Sequence, residues 1–371
     1  MFLWGPRKTG KSFWIKQCLP DAVVIDLLKT DTLAEYAARP ALLRERFGMT
    51  VSPHHRGPLV IDEIQKVPAL LDEVHWLIEN RSLTFLLTGS SARKLRRGHA
   101  NLLAGRAWRR EMKPLCFAEV EDIDLERVMV SGLLPPHFLS LAPLEDLRAY
   151  VSDYLREEII AEGVVSNLPA FSEFLRVAAL TSSELLNYTN VAREVGVSAK
   201  VVRGYFEILE DTLLGTRLCP WTRRVRRRLI QTEKFYFFDV GITNYLTRRT
   251  PRLGTPEFGK SFEHYIFMEL LAYRAYRAPE LDIRYWRTSS GREVDFLLDD
   301  RALAIEVKAS THVHEAELKS LTALAEEGPI KRRIVVSLET HPREVGDHLG
   351  PVVILPWREF LAQLWSGVLV V

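Results

Sequence analysis

Cysteine is scarce in this chain: Cys18, Cys116 and Cys219 are all there is among 371 residues. They lie far apart and at no metal-ligand spacing, which excludes a disulfide framework and a zinc module. They read as reduced thiols of a cytoplasmic protein. No apolar run reaches the length of a bilayer span, so no membrane partner is expected. Internal repeats and low-complexity tracts are missing too, which excludes a solenoid. Net charge is almost absent: 50 Lys and Arg against 48 Asp and Glu leave a formal +2. Global charge therefore demands neither nucleic acid nor an acidic surface. Apolar residues are plentiful at 47%, ample for the two or three domains this length implies.

The strongest signal is at the start. Gly5-Pro6-Arg7-Lys8-Thr9-Gly10-Lys11-Ser12 fits G-x-x-x-x-G-K-[ST], a phosphate-binding loop. The glycines let backbone N–H groups crowd around phosphates. Lys11 would reach the β- and γ-phosphates, and the Ser12 hydroxyl would help hold Mg²⁺. An apolar run, Phe2 to Trp4, precedes the loop and a helical pattern follows it. That helix would aim the positive end of its dipole at the same anion. Leu59-Val60-Ile61-Asp62-Glu63 is a buried-strand run ending in two carboxylates. Asp62 would bind the Mg²⁺ and Glu63 would polarise the attacking water. A further core strand, Thr84 to Thr88, ends in Gly89-Ser90-Ser91, where the Ser90 hydroxyl would sense the γ-phosphate.

Residues 1–115 alternate strand and helix, with strands expected at Phe2–Trp4, Ala22–Asp26, Leu59–Asp62, Leu83–Thr88 and near Ala107–Met112. That pattern implies a parallel sheet with helices on both faces, an α/β fold. The loop Ser52 to Pro58 is a breaker, and its adjacent His54 and His55 are not at metal spacing. Residues 116–180 read as a helical lid or connector, with Leu144–Ala161 the best amphipathic stretch. Residues 181–250 read as a winged helix-turn-helix: a helix, the Gly196 turn, Ser198 as N-cap, then a second helix from Ala199 to Glu210. Lys200 and Arg203 face outward, and Arg223, Arg224, Arg226, Arg227 and Arg228 follow beside Trp221. DNA phosphates are one partner for such a surface. A protein contact is the other, since Glu207 and Glu210 dilute the positive face.

Residues 251–371 hold a third unit. Arg292 to Leu298, then Asp299-Asp300, then Arg301 to Lys308 read as a β-hairpin. A two-residue loop would pair 298 with 301 and set Asp295 opposite Ala304; a four-residue loop keeps the same parity. Asp295, Glu306 and Lys308 then share a face by the period of two. Two carboxylates and a lysine at this spacing suit Mg²⁺-dependent phosphodiester hydrolysis. Glu263, expected in the first turn of a helix on a stripe with Ile266, Phe267 and Leu270, would complete the metal site. The plainer reading is a half-solvated strand and a helix-dipole glutamate.

Together these motifs resemble the prokaryotic AAA-like P-loop ATPases that carry a C-terminal domain of unknown function with a restriction-endonuclease-like fold. The residues that carry the resemblance are Gly5–Ser12, Leu59–Glu63, Leu87–Ser91, Leu103–Arg106, Phe237–Gly241, Gly259–Glu263, Trp286-Arg287, Glu293–Asp295 and Glu306–Lys308. The resemblance implies that Arg106 contacts the γ-phosphate, in cis or from a neighbouring subunit. It also implies structural roles for Asp239 and Gly241. Relatives carry a few dozen residues ahead of the P-loop. Here Met1 stands four residues before Gly5, so a first strand of about three residues and fewer base contacts are expected. The resulting expectation is an ATP-binding and hydrolysing protein whose nucleotide state switches the winged-helix and nuclease-like modules. The alternatives are an ATP-gated, Mg²⁺-dependent DNA nuclease, and a regulatory DNA- or protein-binding switch with an inert nuclease-like domain.

Overall fold

The continuous apolar runs of the N-terminal third form strands covered on both faces. A computed structural model describes residues 1–50, 57–91, 107–154, 167–222 and 232–370. Two compact units divide the chain: Met1–Lys113 with Asp211–Leu214, and Pro114–Glu210 with Gly215–Val371.

In the first unit, β1 (Phe2–Trp4), β2 (Val23–Asp26), β3 (Leu59–Asp62), β4 (Phe85–Gly89) and β5 (Arg109–Glu111) form one sheet in the order β2-β3-β4-β1-β5. All neighbours are parallel. The period of two sorts the side chains. Phe2, Trp4, Leu59, Ile61, Phe85 and Leu87 enter one core, while Leu3, Val60 and Leu86 enter another with Ile15. Ile15 belongs to helix α1 (Lys11–Cys18). Three-residue β1 is buried and paired on both sides, and the Met1 amino group donates to the Phe85 carbonyl at 2.7 Å.

The second unit opens with helices and then builds a mixed sheet. Helix Tyr188–Val195, a left-handed Gly196 (φ 74°) and helix Ala199–Asp211 form the expected helix-turn-helix. Ser198 Oγ accepts from Val201 N–H at 3.3 Å, as an N-cap should. An antiparallel pair follows, β6 (Gly215–Leu218) with β7 (Lys234–Phe237). The basic run at 223–228 lies outside the described residues, as do 155–161 of the expected helix at 144–161, whose earlier part is α-helical over Pro143–Ala149 and a π-helical turn over Tyr150–Tyr154.

The mixed sheet contains β8 (Ile283–Arg287), β9 (Glu293–Leu298), β10 (Leu303–Lys308), β11 (Arg332–Ser337), β12 (Arg343–Asp347) and β13 (Gly350–Pro356), ordered β12-β13-β11-β10-β9-β8. Helix Pro256–Tyr276 packs with Phe296, Ile305 and Val307, and helix Lys319–Glu326 with Leu297, Ala304 and Val335.

Two expectations need correction. Leu298 pairs with Leu303 rather than Arg301. The reason is the turn: Asp299, Asp300 and Arg301 all take left-handed φ (45°, 44° and 80°), which widens the loop by two residues. Parity is kept, and continuing the register sets Asp295 opposite Glu306 instead of Ala304. Glu263 is also not in a first turn. Thr255 caps the helix and Pro256 starts it, so Glu263 sits two turns in, beyond the reach of the helix-end dipole.

Asp239 explains an otherwise costly buried charge. Its carboxylate caps helix Val240–Thr247 through Ile242 N–H at 3.1 Å and accepts from Leu133 N–H at 2.7 Å. Gly132 (φ 68°) lies directly against that carboxylate, with no room for a Cβ. Gly132→Ala should therefore lower stability by about 2–4 kcal/mol, combining overlap with left-handed strain. A urea melt with an unchanged midpoint would refute this.

Candidate active site

The first candidate site lies where β1, β3 and β4 end. After β1 the chain turns through two left-handed residues, Lys8 (φ 65°) and Gly10 (φ 100°), and helix α1 starts at Lys11. Thr9 Oγ1 donates to Pro6 O at 2.8 Å, bracing the loop. Buried Lys11 points its ammonium into that loop, at 2.6 Å from Gly5 O and 3.0 Å from Pro6 O. Such carbonyls hold the ammonium where incoming phosphate oxygens would compete for it.

Asp62, closing β3, accepts from Ser12 Oγ at 3.1 Å through Oδ2 and from Thr88 Oγ1 through Oδ1. The two residues expected to hold Mg²⁺ are therefore hydrogen-bonded neighbours. Two oxygen donors side by side suit an ion that keeps several waters and takes phosphate oxygens for the rest. Glu63 is held in a left-handed conformation (φ 61°). Its Oε2 accepts from Ser90 Oγ at 3.2 Å and from Gln65 Nε2. Gln65 Nε2 also lies 3.1 Å from Ser90 Oγ, and its buried Oε1 finds no hydrogen-bond partner among the described residues. Sequence reasoning missed both Gln65 and Thr88. Their positions, three after Asp62 and at the end of β4, are the signals that could have found them. Arg106 lies outside the described residues.

The second candidate site belongs to the other unit. Asp295 is buried, and its Oδ2 accepts from Val307 N–H at 2.7 Å. Glu306 Oε1 pairs with Lys308 Nζ at 2.7 Å, while Glu306 Oε2 is buried without a hydrogen-bond partner among the described residues. Glu263 does join them, but its Oε1 takes the Tyr236 hydroxyl at 2.5 Å and the Lys234 ammonium at 3.3 Å. Lys234 also pairs with Glu293 Oε1, and Glu293 Oε2 pairs with Arg287 at 2.6 Å. Lys234, Tyr236 and Glu293 were not expected here. Lys234 lies 72 positions before Glu306, and nothing local to β7 signals the link.

Electrostatics follow from this crowding. Burial, then the Glu306 and Glu263 charges, push the Asp295 carboxyl well above its ordinary range, against Lys234 and Lys308. Burial pushes Glu306 up to about 7, against Lys308. For Lys234, burial opposes the charge, but Glu263, Glu293 and Asp295 outweigh it and raise its pKa. The expected Mg²⁺ set of Glu263, Asp295 and Glu306 fits poorly here. Among the described residues no three His, Cys, Asp or Glu side chains stand close enough to hold a metal ion.

A β2-β3-β4-β1-β5 parallel sheet with a glycine-rich loop after β1, Asp62 ending β3 and Glu63 following it is the fold of a P-loop NTPase. Comparison with known families agrees. Residues 1–121 match a family described as an AAA domain. Residues 122–253 and 258–360 match two domains of unknown function, DUF8612 and DUF4143. Two uncharacterized proteins, from Mycobacterium bovis and Mycobacterium tuberculosis, are each 27% identical over 266 residues, covering 69% of this chain. The match spans 59% of the length of either relative. A solved structure of the Aeropyrum pernix Orc1 protein in complex with DNA aligns at 12% identity and a TM-score of 0.28, covering 67% of this chain and 86% of that one. No described helix is long and apolar enough to cross a membrane.

The second site makes stability depend on pH. Glu306 holds its proton in the folded state up to about 7, against an ordinary 4.5. Its stabilising protonated form is complete below pH 4.5 and is lost as pH rises through 7. Glu306→Gln should raise the thermal midpoint by a few degrees at pH 8 and by much less at pH 5. An equal shift at both values would show that Glu306 does not titrate there.

Proposed function

We propose that this chain binds Mg²⁺-ATP at the first site and hydrolyses it. The observation that carries this is the Ser12–Asp62 hydrogen bond, which joins the start of α1 to the end of β3 beside Glu63. Lys11 holds the β- and γ-phosphates, with the backbone of Gly5–Gly10 around them. Ser12 and Asp62 hold the Mg²⁺, which supplies charge neutralisation at the phosphates when bound. Glu63 takes the proton of the attacking water, and Ser90 reports on the γ-phosphate. Arg106 is assigned the γ-phosphate contact, in cis or from a neighbouring subunit.

Hydrolysis then drives a switch. The helix-turn-helix with its β6–β7 pair is read as a winged helix, and nucleotide state alters its engagement with DNA or a protein partner. Exposed Lys200 and Arg203 support the DNA version, with Arg203 stacked over the Tyr188 ring at 5.0 Å. A second reading, an ATP-gated nuclease, has the convergence of Asp295, Glu306 and Lys308 in its favour. Against it stands the Lys234 ammonium among the same carboxylates, so a regulatory role for an inert nuclease-like fold is preferred.

Two variants test the ATPase assignment. Lys11→Ala should weaken ATP binding by about 10- to 100-fold in calorimetry, the worth of lost charge-assisted hydrogen bonds. Glu63→Gln should bind ATP normally and turn it over about 10²- to 10⁴-fold more slowly. Normal affinity in the first or normal turnover in the second overturns the roles. For the target, duplex DNA affinity should fall steeply with salt. Replacing Lys200 and Arg203 together by Ala should reduce that slope by about two. A flat response assigns the module to a protein partner.

A further inference from the structure

The carboxylate cluster of the C-terminal unit already contains a cation. Lys234 Nζ pairs with Glu293 Oε1, lies 3.3 Å from Glu263 Oε1, and sits 5.5 Å from the centre of the Tyr285 ring. The lysine is not a surface side chain that swings in. Its backbone is paired with Leu218 on one side and bridged to Leu185 on the other, and its side chain is 2% exposed. Each surrounding carboxylate also engages another donor: Asp295 Oδ2 takes Val307 N–H, Glu306 Oε1 Lys308, Glu293 Oε2 Arg287 and Glu263 Oε1 the Tyr236 hydroxyl. Four carboxylates (Glu263, Glu293, Asp295, Glu306) thus face three cations (Lys234, Lys308, Arg287) within one network.

We propose that the Lys234 ammonium is the resident cation of this cluster. It already occupies Glu263 and Glu293, two of the carboxylates a divalent metal would draw on, so the folded chain takes no Mg²⁺ or Mn²⁺ there until that ammonium is removed. A divalent ion wants oxygens at about 2.0–2.2 Å in a near-octahedral set. The ammonium instead gathers its oxygens at hydrogen-bond distance and repels a second cation brought among them. The buried Glu306 Oε2, without a hydrogen-bond partner among the described residues, is an oxygen available to a metal once the ammonium is gone. The inference is independent of the ATPase assignment, because no residue of the P-loop unit enters it.

The test is a Mn²⁺ titration of the full chain without nucleotide, followed by calorimetry and by the Mn²⁺ paramagnetic signal. Asp62→Asn is carried throughout to silence the P-loop metal position. With Lys234 intact, no Mn²⁺ should bind at the cluster. Lys234→Met should acquire one Mn²⁺ at least about tenfold more tightly, through Asp295 and Glu306. Adding Asp295→Asn should abolish the gain. The proposal is overturned if the chain with Lys234 intact binds a Mn²⁺ that Asp295→Asn removes. It is equally overturned if a cooperatively melting Lys234→Met protein gains no Mn²⁺. Lys234→Gln, which can still donate to Glu263, is the second variant. Should neither variant melt cooperatively, the titration with Lys234 intact decides alone.

Discussion

A parallel sheet forces its polar chemistry to one edge. Strands β1, β3 and β4 are buried along their whole length, so none can carry a charge in its body without a partner. Their carboxyl ends all emerge together, and buried polar side chains gather there: Thr9 and Lys11 of the P-loop, Asp62 and Glu63, Thr88 and Ser90. Buried Asp62 is tolerable because two hydroxyls donate to it, and Glu63 because Gln65 and Ser90 do. The same arrangement that solves a burial problem assembles oxygen donors beside an ammonium, which is the chemistry a nucleoside triphosphate needs.

The two units handle buried charge differently. The P-loop site uses neutral donors, hydroxyls and an amide, around its two carboxylates. Those donors can turn toward other acceptors at little electrostatic cost, so phosphates and a metal can enter. The C-terminal cluster uses full positive charges. Removing one of them leaves several buried carboxylates in mutual repulsion, a far larger penalty than reorienting a hydroxyl. One site is built to exchange its partners and the other to keep them.

The sequence legible here was the local sequence. The P-loop, the acids closing β3 and the helix-turn-helix are contiguous segments whose spacing is their geometry. Hairpin parity was also readable, because a period of two survives an even change in loop length. The register was not. Asp299 and Asp300 are ordinary residues for a tight turn, and only the third left-handed residue, Arg301, reveals the wider loop. Glu263 shows the same limit: it lies on the expected helix face, yet its partners, Lys234 and Tyr236, are on β7. Lys234 reads in sequence as a polar residue opening an aromatic strand, Lys-Phe-Tyr-Phe. Its importance is a property of three distant segments meeting.

That tertiary origin bears on what the C-terminal unit can do. A tethered ammonium competes for its carboxylates as an intramolecular ligand, at an effective concentration set by the fold, whereas Mg²⁺ competes from solution at about millimolar levels. The backbone pairing on both sides of Lys234 keeps that effective concentration high in the folded state. A metal could enter only if β7 itself moved. Strand β7 pairs with β6, and it leads into the helix capped by Asp239. Any shift of β7 would thus also shift the cation on which the carboxylate cluster depends.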